Sequence, residues 1–186
     1  MYGGRRGPPN PAGFHVLRAT VAADLVRSSG VGRDDLVLDL GAGTGALTAA
    51  LARTGARVLA VEREPRLVRA LARRYRGARV RVVEDDIRTV SLPRHRYRVV
   101  ASLPFGIAMT VLGRLLDDPC GRLRRADLVV PWHLAVRLTR AEQRQSRVRR
   151  WRRRYTLRIA RRLEPNAFRP PPSVAAAVLV VERRTR

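Results

Sequence analysis

The stretch LDLGAGTG, Leu38 to Gly45, decides the fold. It closes the apolar run Asp35 to Leu40 and opens a helix-forming segment, Ala46 to Arg53. Strand, glycine loop and helix in that order form a phosphate- or nucleoside-binding unit, because glycines let the backbone approach a ligand and the N–H groups at the helix start face it. About 20 residues on, a second strand, Ala56 to Val61, ends in Glu62, where an acid can hold a ribose diol. The pattern therefore points to a nucleoside-containing cofactor.

Outward from this unit the chain keeps alternating. A helix is expected over Ala19 to Ser28, and another from Pro65 to about Tyr75, with proline at its first position. A third strand, Val80 to Val83, runs into Glu84-Asp85-Asp86, and a fourth, Tyr97 to Ala101, into Ser102. Met109 to Leu116 reads as helix, Asp127 to Val130 as a fifth strand, and Leu134 to about Gln143 as helix. Tyr155 to Leu163 is a sixth strand, Phe168 to Pro172 a stiff loop, and Val174 to Val181 a final, well-buried strand. Alternation of this kind predicts an α/β fold: a mostly parallel, seven-stranded, Rossmann-like sheet with helices on both faces. Such sheets bind ligands at the carboxyl ends of their strands. The unusual residues sit at those ends: Asp39 with Gly41, Gly43 and Gly45; Glu62; Asp85 and Asp86; Ser102 to Phe105.

The loop chemistry separates the candidate cofactors. The glycine spacing is Gly41-x-Gly43-x-Gly45, with Ala46 in the place of the third dinucleotide glycine. Asp39 would repel a pyrophosphate, which disfavours a nicotinamide dinucleotide, but suits an ammonium group. S-adenosylmethionine carries an ammonium, a sulfonium and no phosphate. Asp85 or Asp86 can accept from its adenine amino group.

Composition bounds the partners. The 186 residues fit one domain, with 1–13 as a basic, flexible arm and 14–186 as the folded unit. The formal net charge is +24 and every basic residue is arginine. Such a chain attracts polyanions, and the planar arginine fork suits phosphate. Nucleic acid is the leading partner. A small-molecule substrate and an anionic membrane surface are disfavoured. The single cysteine, Cys120, excludes an internal disulfide and a multi-cysteine zinc site. No run reaches the ~18 apolar residues of a membrane span, and no signal core follows Arg5 and Arg6, so a cytoplasmic monomer without a metal is expected.

LDLGAGTG, the AVERE around Glu62, VEDDI (Val83 to Ile87), SLPF (Ser102 to Phe105) and FRPPPSV (Phe168 to Val174) occur together in the order that resembles ribosomal RNA adenine N6-methyltransferases, most nearly the macrolide-resistance (Erm) branch. The similarity runs from about Phe14 to Arg183. It implies S-adenosylmethionine-dependent methylation of an adenine N6 in ribosomal RNA, of the 23S antibiotic-resistance type. Gly41, Gly43, Gly45, Glu62 and Asp86 match the cofactor positions of the family, Asp86 through alignment of VEDDI with its V-E-G-D pattern. His15 resembles the N-terminal segment beside the methionine end of the cofactor, and Leu17 and Arg63 complete the expected cofactor set with Asp39, Asp85 and Ser102. Ser102, Leu103, Pro104 and Phe105 match the catalytic N-[IL]-P-[FY] motif, and Phe168 an aromatic near the target base.

Three features depart from the family pattern. Ser102 stands where the catalytic Asn is usual, Phe14 and Val16 replace Gln and Phe in the N-terminal segment, and the chain ends soon after its last strand, where relatives continue into a small helical lobe.

SLPF then has a chemical reading. The lone pair of an adenine amino group is delocalised into the ring, so the group must be aimed and pyramidalised. Ser102 Oγ and the Leu103 carbonyl can accept its hydrogens, Pro104 can stiffen the loop, and Phe105 can stack on an extruded base, with Phe168 as a second wall. Phe105 and Phe168 have core packing as their alternative role; Trp132 and Trp151 read as packing. RVRRWRRRY, Arg147 to Tyr155, is either a solvated face or a phosphate-binding strip built on Arg149, Arg150 and Arg152. Two other functions fit the same residues: a non-catalytic RNA-binding or ribosome-assembly factor on a methyltransferase scaffold, favoured by the Asn-to-Ser change, and a DNA adenine N6-methyltransferase, whose motif tolerates Ser.

Overall fold

Apolar alternation and helical periodicity become, in chain order, β1 (Val16–Leu17), α1 (Ala19–Ser29), β2 (Leu36–Leu40), α2 (Ala46–Ala52), β3 (Arg57–Glu62), α3 (Pro65–Arg74), β4 (Val80–Glu84) and β5 (Tyr97–Ser102). After a single 3-10 turn at Phe105–Ile107 come α4 (Ala108–Leu116), β6 (Leu123–Pro131), α5 (Trp132–Thr139), α6 (Ser146–Arg154), β7 (Tyr155–Leu163), β8 (Phe168–Arg169) and β9 (Ala176–Arg183). This computed structural model describes residues 15–140 and 146–184. The expected N-terminal arm, Arg5, Arg6 and Phe14 lie outside the described residues. The helix expected to run from Leu134 to about Gln143 instead starts at Trp132 and ends at Thr139, where Arg140 turns to an extended backbone.

Seven strands form one sheet in the order β4-β3-β2-β5-β6-β9-β7. All neighbours from β4 to β6 are parallel, and β9 lies antiparallel between β6 and β7. A parallel sheet must be covered on both faces. Alternate residues of each strand accordingly serve two separate cores. Leu38, Val99, Leu128 and Leu179 pack with α4, α5 and α6, while Val37, Val100, Val129 and Val178 pack with α1 and α2.

The chain order reverses between β2 and β5, the kind of switch point where α/β sheets open a ligand crevice. Pairing between these two strands is limited to Val37 with Arg98 and Leu38 with Val99. Beyond it, β2 continues along β3 and β5 along β6. The two strands part after Leu38 and Val99, so that Asp39 follows directly on one side and Ser102 three residues further on the other.

Local expectations at the start of β6 and at Phe168 need correction. β6 begins at Leu123, not Asp127. Arg124 and Arg125 obscure its apolar pattern, but Arg125 lies against Asp127, whose side chain is 3% exposed, and donates to both of its oxygens at 2.8 Å. Removing one partner of such a pair strands the other charge. Arg125→Ala is expected to cost about 3 kcal/mol in a urea titration; a loss below about 1 kcal/mol would show the pair to be dispensable.

RVRRWRRR lies in the helix α6. It is held by Val148 and Trp151 in the core and by Asp117, which accepts from Trp151 Nε1 at 2.6 Å, Arg147 Nε at 2.7 Å and Arg150 at 3.1 Å. Phe168–Arg169 is a strand rather than loop, and Val16–Leu17 is its antiparallel partner. Both strands are two residues long, too short to show a period in the sequence.

Candidate active site

The glycine loop leaves β2 at Gly41 and enters α2 at Gly45. Gly41, Gly43 and Gly45 all have positive φ, at 78°, 56° and 87°. Two of them show why glycine is needed. A Cβ on Gly45 would stand 2.6 Å from Leu71 Cδ2 on α3. Gly43 turns its N–H onto Glu62 Oε2 at 2.8 Å. Glu62, 2% exposed at the end of β3, also accepts from the N–H groups of Arg63 and Glu64, both at 2.9 Å. The acid expected to hold a ribose thus also fixes the shape of the loop.

Two clefts flank this loop. The first is lined by His15, Leu17, Asp39, Gly43 and Ser102 to Phe105. The second is lined by Glu62, Arg63, Asp86, Ile87, Arg88 and Ile107. Gly41 and Pro104 belong to both and form the neck between them. A Cβ at residue 41 would lie 3.9 Å from Pro104 Cδ and 4.0 Å from Ile87 Cδ1, so any larger side chain would fill the neck.

Asp39 occupies the inner wall of the first cleft, 1% exposed. Its Oδ2 accepts from Thr48 Oγ1 at 2.6 Å, while its Oδ1 is buried with no partner among the described residues. Burial pushes its pKa up from 3.8 to about 7; the Thr48 hydrogen bond opposes the shift and the nearby Glu62 charge adds to it. A buried, half-satisfied carboxyl beside a cleft fits a ligand ammonium. Thr48 was not singled out in the sequence. A hydroxyl in the first turn of the helix after the glycine loop, placed to reach back to the strand end, is the signal that marks it.

At the second cleft the carboxylates divide. Asp86 lines it, whereas Asp85 does not: its Oδ1 accepts the Asp86 N–H at 2.7 Å in a local turn. Of the two expected adenine acceptors, only Asp86 is in place. Its carboxylate takes hydrogen bonds from Arg88 Nε at 3.0 Å and the Arg88 N–H at 2.8 Å, and these hold its pKa down to about 2.

Ser102 ends β5 half-buried, and its hydroxyl has no hydrogen-bond partner among the described residues. The Leu103 N–H donates to the Val129 carbonyl at 3.1 Å, which anchors the turn to β6, while the Leu103 carbonyl accepts from none of the described residues. Two uncommitted acceptors therefore stand on adjacent residues. Phe105 follows on the 3-10 turn, half-buried.

Phe168 corrects its expectation. It is 1% exposed, with its ring edge-on to Phe105 at 6.3 Å, so it has no open face for a base and buttresses Phe105 from within the core. The aromatic neighbour on the other side is His15, 6.0 Å from Phe105. His15 is placed by the β1–β8 pairing and by its Nδ1, which donates to the Pro170 carbonyl at 2.9 Å.

Two of the three arginines expected to form a phosphate strip are engaged within the protein. Arg150 is tied to Asp117, and Arg152 donates to the Thr139 carbonyl at 2.7 Å; Arg149 alone of the three has no hydrogen-bond or ion-pair partner among the described residues. Asp117 follows the last residue of α4, the end remote from Ser102, so α6 lies away from both clefts.

A family model described as ribosomal RNA adenine dimethylase matches residues 14–186. The rRNA adenine N-6-methyltransferase of Bacillus licheniformis is 30% identical over 178 residues, covering 95% of this chain and 62% of the relative. The probable ribosomal RNA small subunit methyltransferase A of Thermococcus onnurineus is 29% identical, with 100% and 67% covered. The crystal structure of the 23S rRNA methyltransferase ErmE superposes with a TM-score of 0.82 at 26% identity, covering 92% of this chain and 70% of that one. The chain thus spans a little over three fifths of the length of the first of these relatives. Over that span the parted strands, the glycine loop locked by its acid and the paired acceptors of SLPF coincide with the family match, and the chain belongs to the ribosomal RNA adenine dimethylase family.

Proposed function

We propose that this protein methylates the N6 amino group of an adenine in ribosomal RNA, of the 23S type, using S-adenosylmethionine. The observation that carries the reading is the pair of uncommitted acceptors at Ser102 and Leu103, set beside a cleft whose inner wall is the half-satisfied Asp39 carboxyl.

When bound, the cofactor supplies an electrophilic methyl group. Asp39 would meet its ammonium in the first cleft, and Glu62 and Asp86 would take its ribose and adenine in the second, with Gly41 leaving the neck clear. Ser102 Oγ and the Leu103 carbonyl accept the two hydrogens of the target amino group, so that the nitrogen lone pair turns toward the neck. Pro104, at φ −57°, stiffens the turn, and the Ile107 N–H closes it on the Pro104 carbonyl at 3.1 Å. Phe105 stacks on the extruded base, backed by Phe168 and flanked by His15. Catalysis on this scheme is positioning and desolvation of a weak nucleophile.

Incubation with methyl-labelled cofactor and naked ribosomal RNA, ribosomal subunits or DNA, followed by mapping of the modified base, tests the reading. Label at an adenine N6 of the large-subunit RNA is expected. Label in DNA alone, or cofactor binding without transfer to any of the three, contradicts it.

A further inference from the structure

A cluster of arginines lies at the other end of the sheet. Arg96 precedes β5, Arg124 stands near the start of β6, Arg153 and Arg154 close α6 just before β7, and Arg183 and Arg184 end and follow the antiparallel β9. The parallel strands start here, so segments spread over nearly ninety residues of sequence meet at one rim. These six arginines and Pro119 line a single open cleft.

None of the six has a carboxylate partner among the described residues, whereas Arg98, Arg125, Arg147 and Arg150 close by all do. Arg154 and Arg183 are held by the carbonyls of Asp118 and Gly121, and Arg184 by that of Arg152. Arg96, Arg124 and Arg153 are exposed and make no hydrogen bond to the described residues. Carbonyl-held guanidiniums keep their orientation and full charge, and clustering six of them is repulsive unless an anion bridges them.

We propose that this cleft binds the phosphodiester backbone of RNA, as a second contact about 20 Å from Ser102 along β5 (about six residues at ~3.3 Å each). The lining names the ligand class. It has no aromatic ring on which a base could stack and no carboxylate to take a ribose diol, so a mononucleotide finds only its phosphates recognised. An open groove of unpaired arginines instead suits a run of phosphates, read for charge and spacing and not for sequence. The inference rests on the reading that the protein acts on RNA, and it assigns the anchoring to residues remote from the reaction.

The test compares three variants by filter binding of purified ribosomal RNA over a salt series. In the first, Arg96, Arg124 and Arg153 are each changed to Gln; in the second, each is changed to Lys; in the third, the exposed α3 residues Arg66, Arg69 and Arg73 are changed to Gln, an equal loss of charge elsewhere. Loss of three phosphate contacts should flatten the slope of log K against log salt by about 2 to 3 and weaken binding at least tenfold at moderate salt. The Lys variant should keep most of the slope, and the α3 variant should lose far less. Titration with S-adenosylmethionine and melting temperature should be unchanged in all three.

Equal losses in the cleft and α3 variants would reduce the effect to net charge and overturn the proposal. So would an unchanged slope in the cleft variant, or a loss of binding to phosphatidylglycerol vesicles with RNA binding retained. Methyl transfer measured on the wild-type protein with the same RNA reports separately on the proposed reaction: RNA held through the cleft without transfer would leave this inference standing and defeat that reading.

Discussion

Ser102→Ala is expected to slow methyl transfer about 10²-fold, the usual cost of deleting one hydrogen-bonding group that positions a reacting atom. The hydroxyl is half-buried and makes no hydrogen bond within the described residues, so its loss should leave folding stability unchanged within about 0.5 kcal/mol. A selective fall in kcat therefore separates a role in positioning the amino group from a role in structure. Ser102→Asn extends the acceptor by one bond and makes it a planar amide. On the proposed mechanism it should match or exceed the parent rate, because the amide oxygen reaches further into the cleft. An alanine variant at full rate would remove residue 102 from the reaction and leave the Leu103 carbonyl to act alone.

The second large effect belongs to Asp39. Its pKa of about 7 in the folded protein stands above the ordinary 3.8. Below about pH 4 the carboxyl is protonated in both folded and unfolded chains and costs nothing. Between pH 4 and 7 the unfolded chain ionises first, so the stability penalty grows as the pH rises, and above 7 it is complete, on the order of 4 kcal/mol. Asp39→Asn removes that penalty but leaves a buried amide N–H₂ group unpaired, at about 1–3 kcal/mol. The net result should be a melting temperature higher by roughly 3–8 °C at pH 8. The gain should vanish below about pH 5.

The same substitution should weaken S-adenosylmethionine binding. In the parent protein, affinity should fall about tenfold per pH unit below 7, since an ammonium partner favours the ionised carboxylate. A variant that is destabilised at pH 8, or a parent whose affinity is flat from pH 5 to 8, would show that Asp39 does not carry a buried, ligand-directed charge. Stability surrendered at this carboxyl is what leaves Oδ1 available.

The sequence by itself determined the frame of this protein. Strand, glycine loop, helix and a following acid are local patterns, set by a handful of consecutive residues, and LDLGAGTG with Glu62, VEDDI and SLPF placed them at strand ends before any packing was known. Seven strands and the parallel class followed from alternation, because a strand between two helices has little choice but to lie parallel to its predecessor.

The tertiary structure decided what each side chain is free to do. His15 and Pro170 are 155 residues apart, and only the β1–β8 pairing brings the histidine beside Phe105. Phe168 looked like a second wall for a base; its place in the core, edge-on to Phe105, makes it a support. Asp85 and Asp86 are adjacent and chemically identical, and the turn after β4 spends one on its own backbone and turns the other to the cleft. The arginine-rich helix announced a cationic strip, yet Asp117 and the Thr139 carbonyl take up two of its expected members. The six arginines that gather without carboxylate partners among the described residues come from four places along the chain, at the opposite rim of the sheet. Local periodicity fixes which elements form. Which charges are left unpaired depends on contacts between residues far apart in the chain, and no short-range pattern records those.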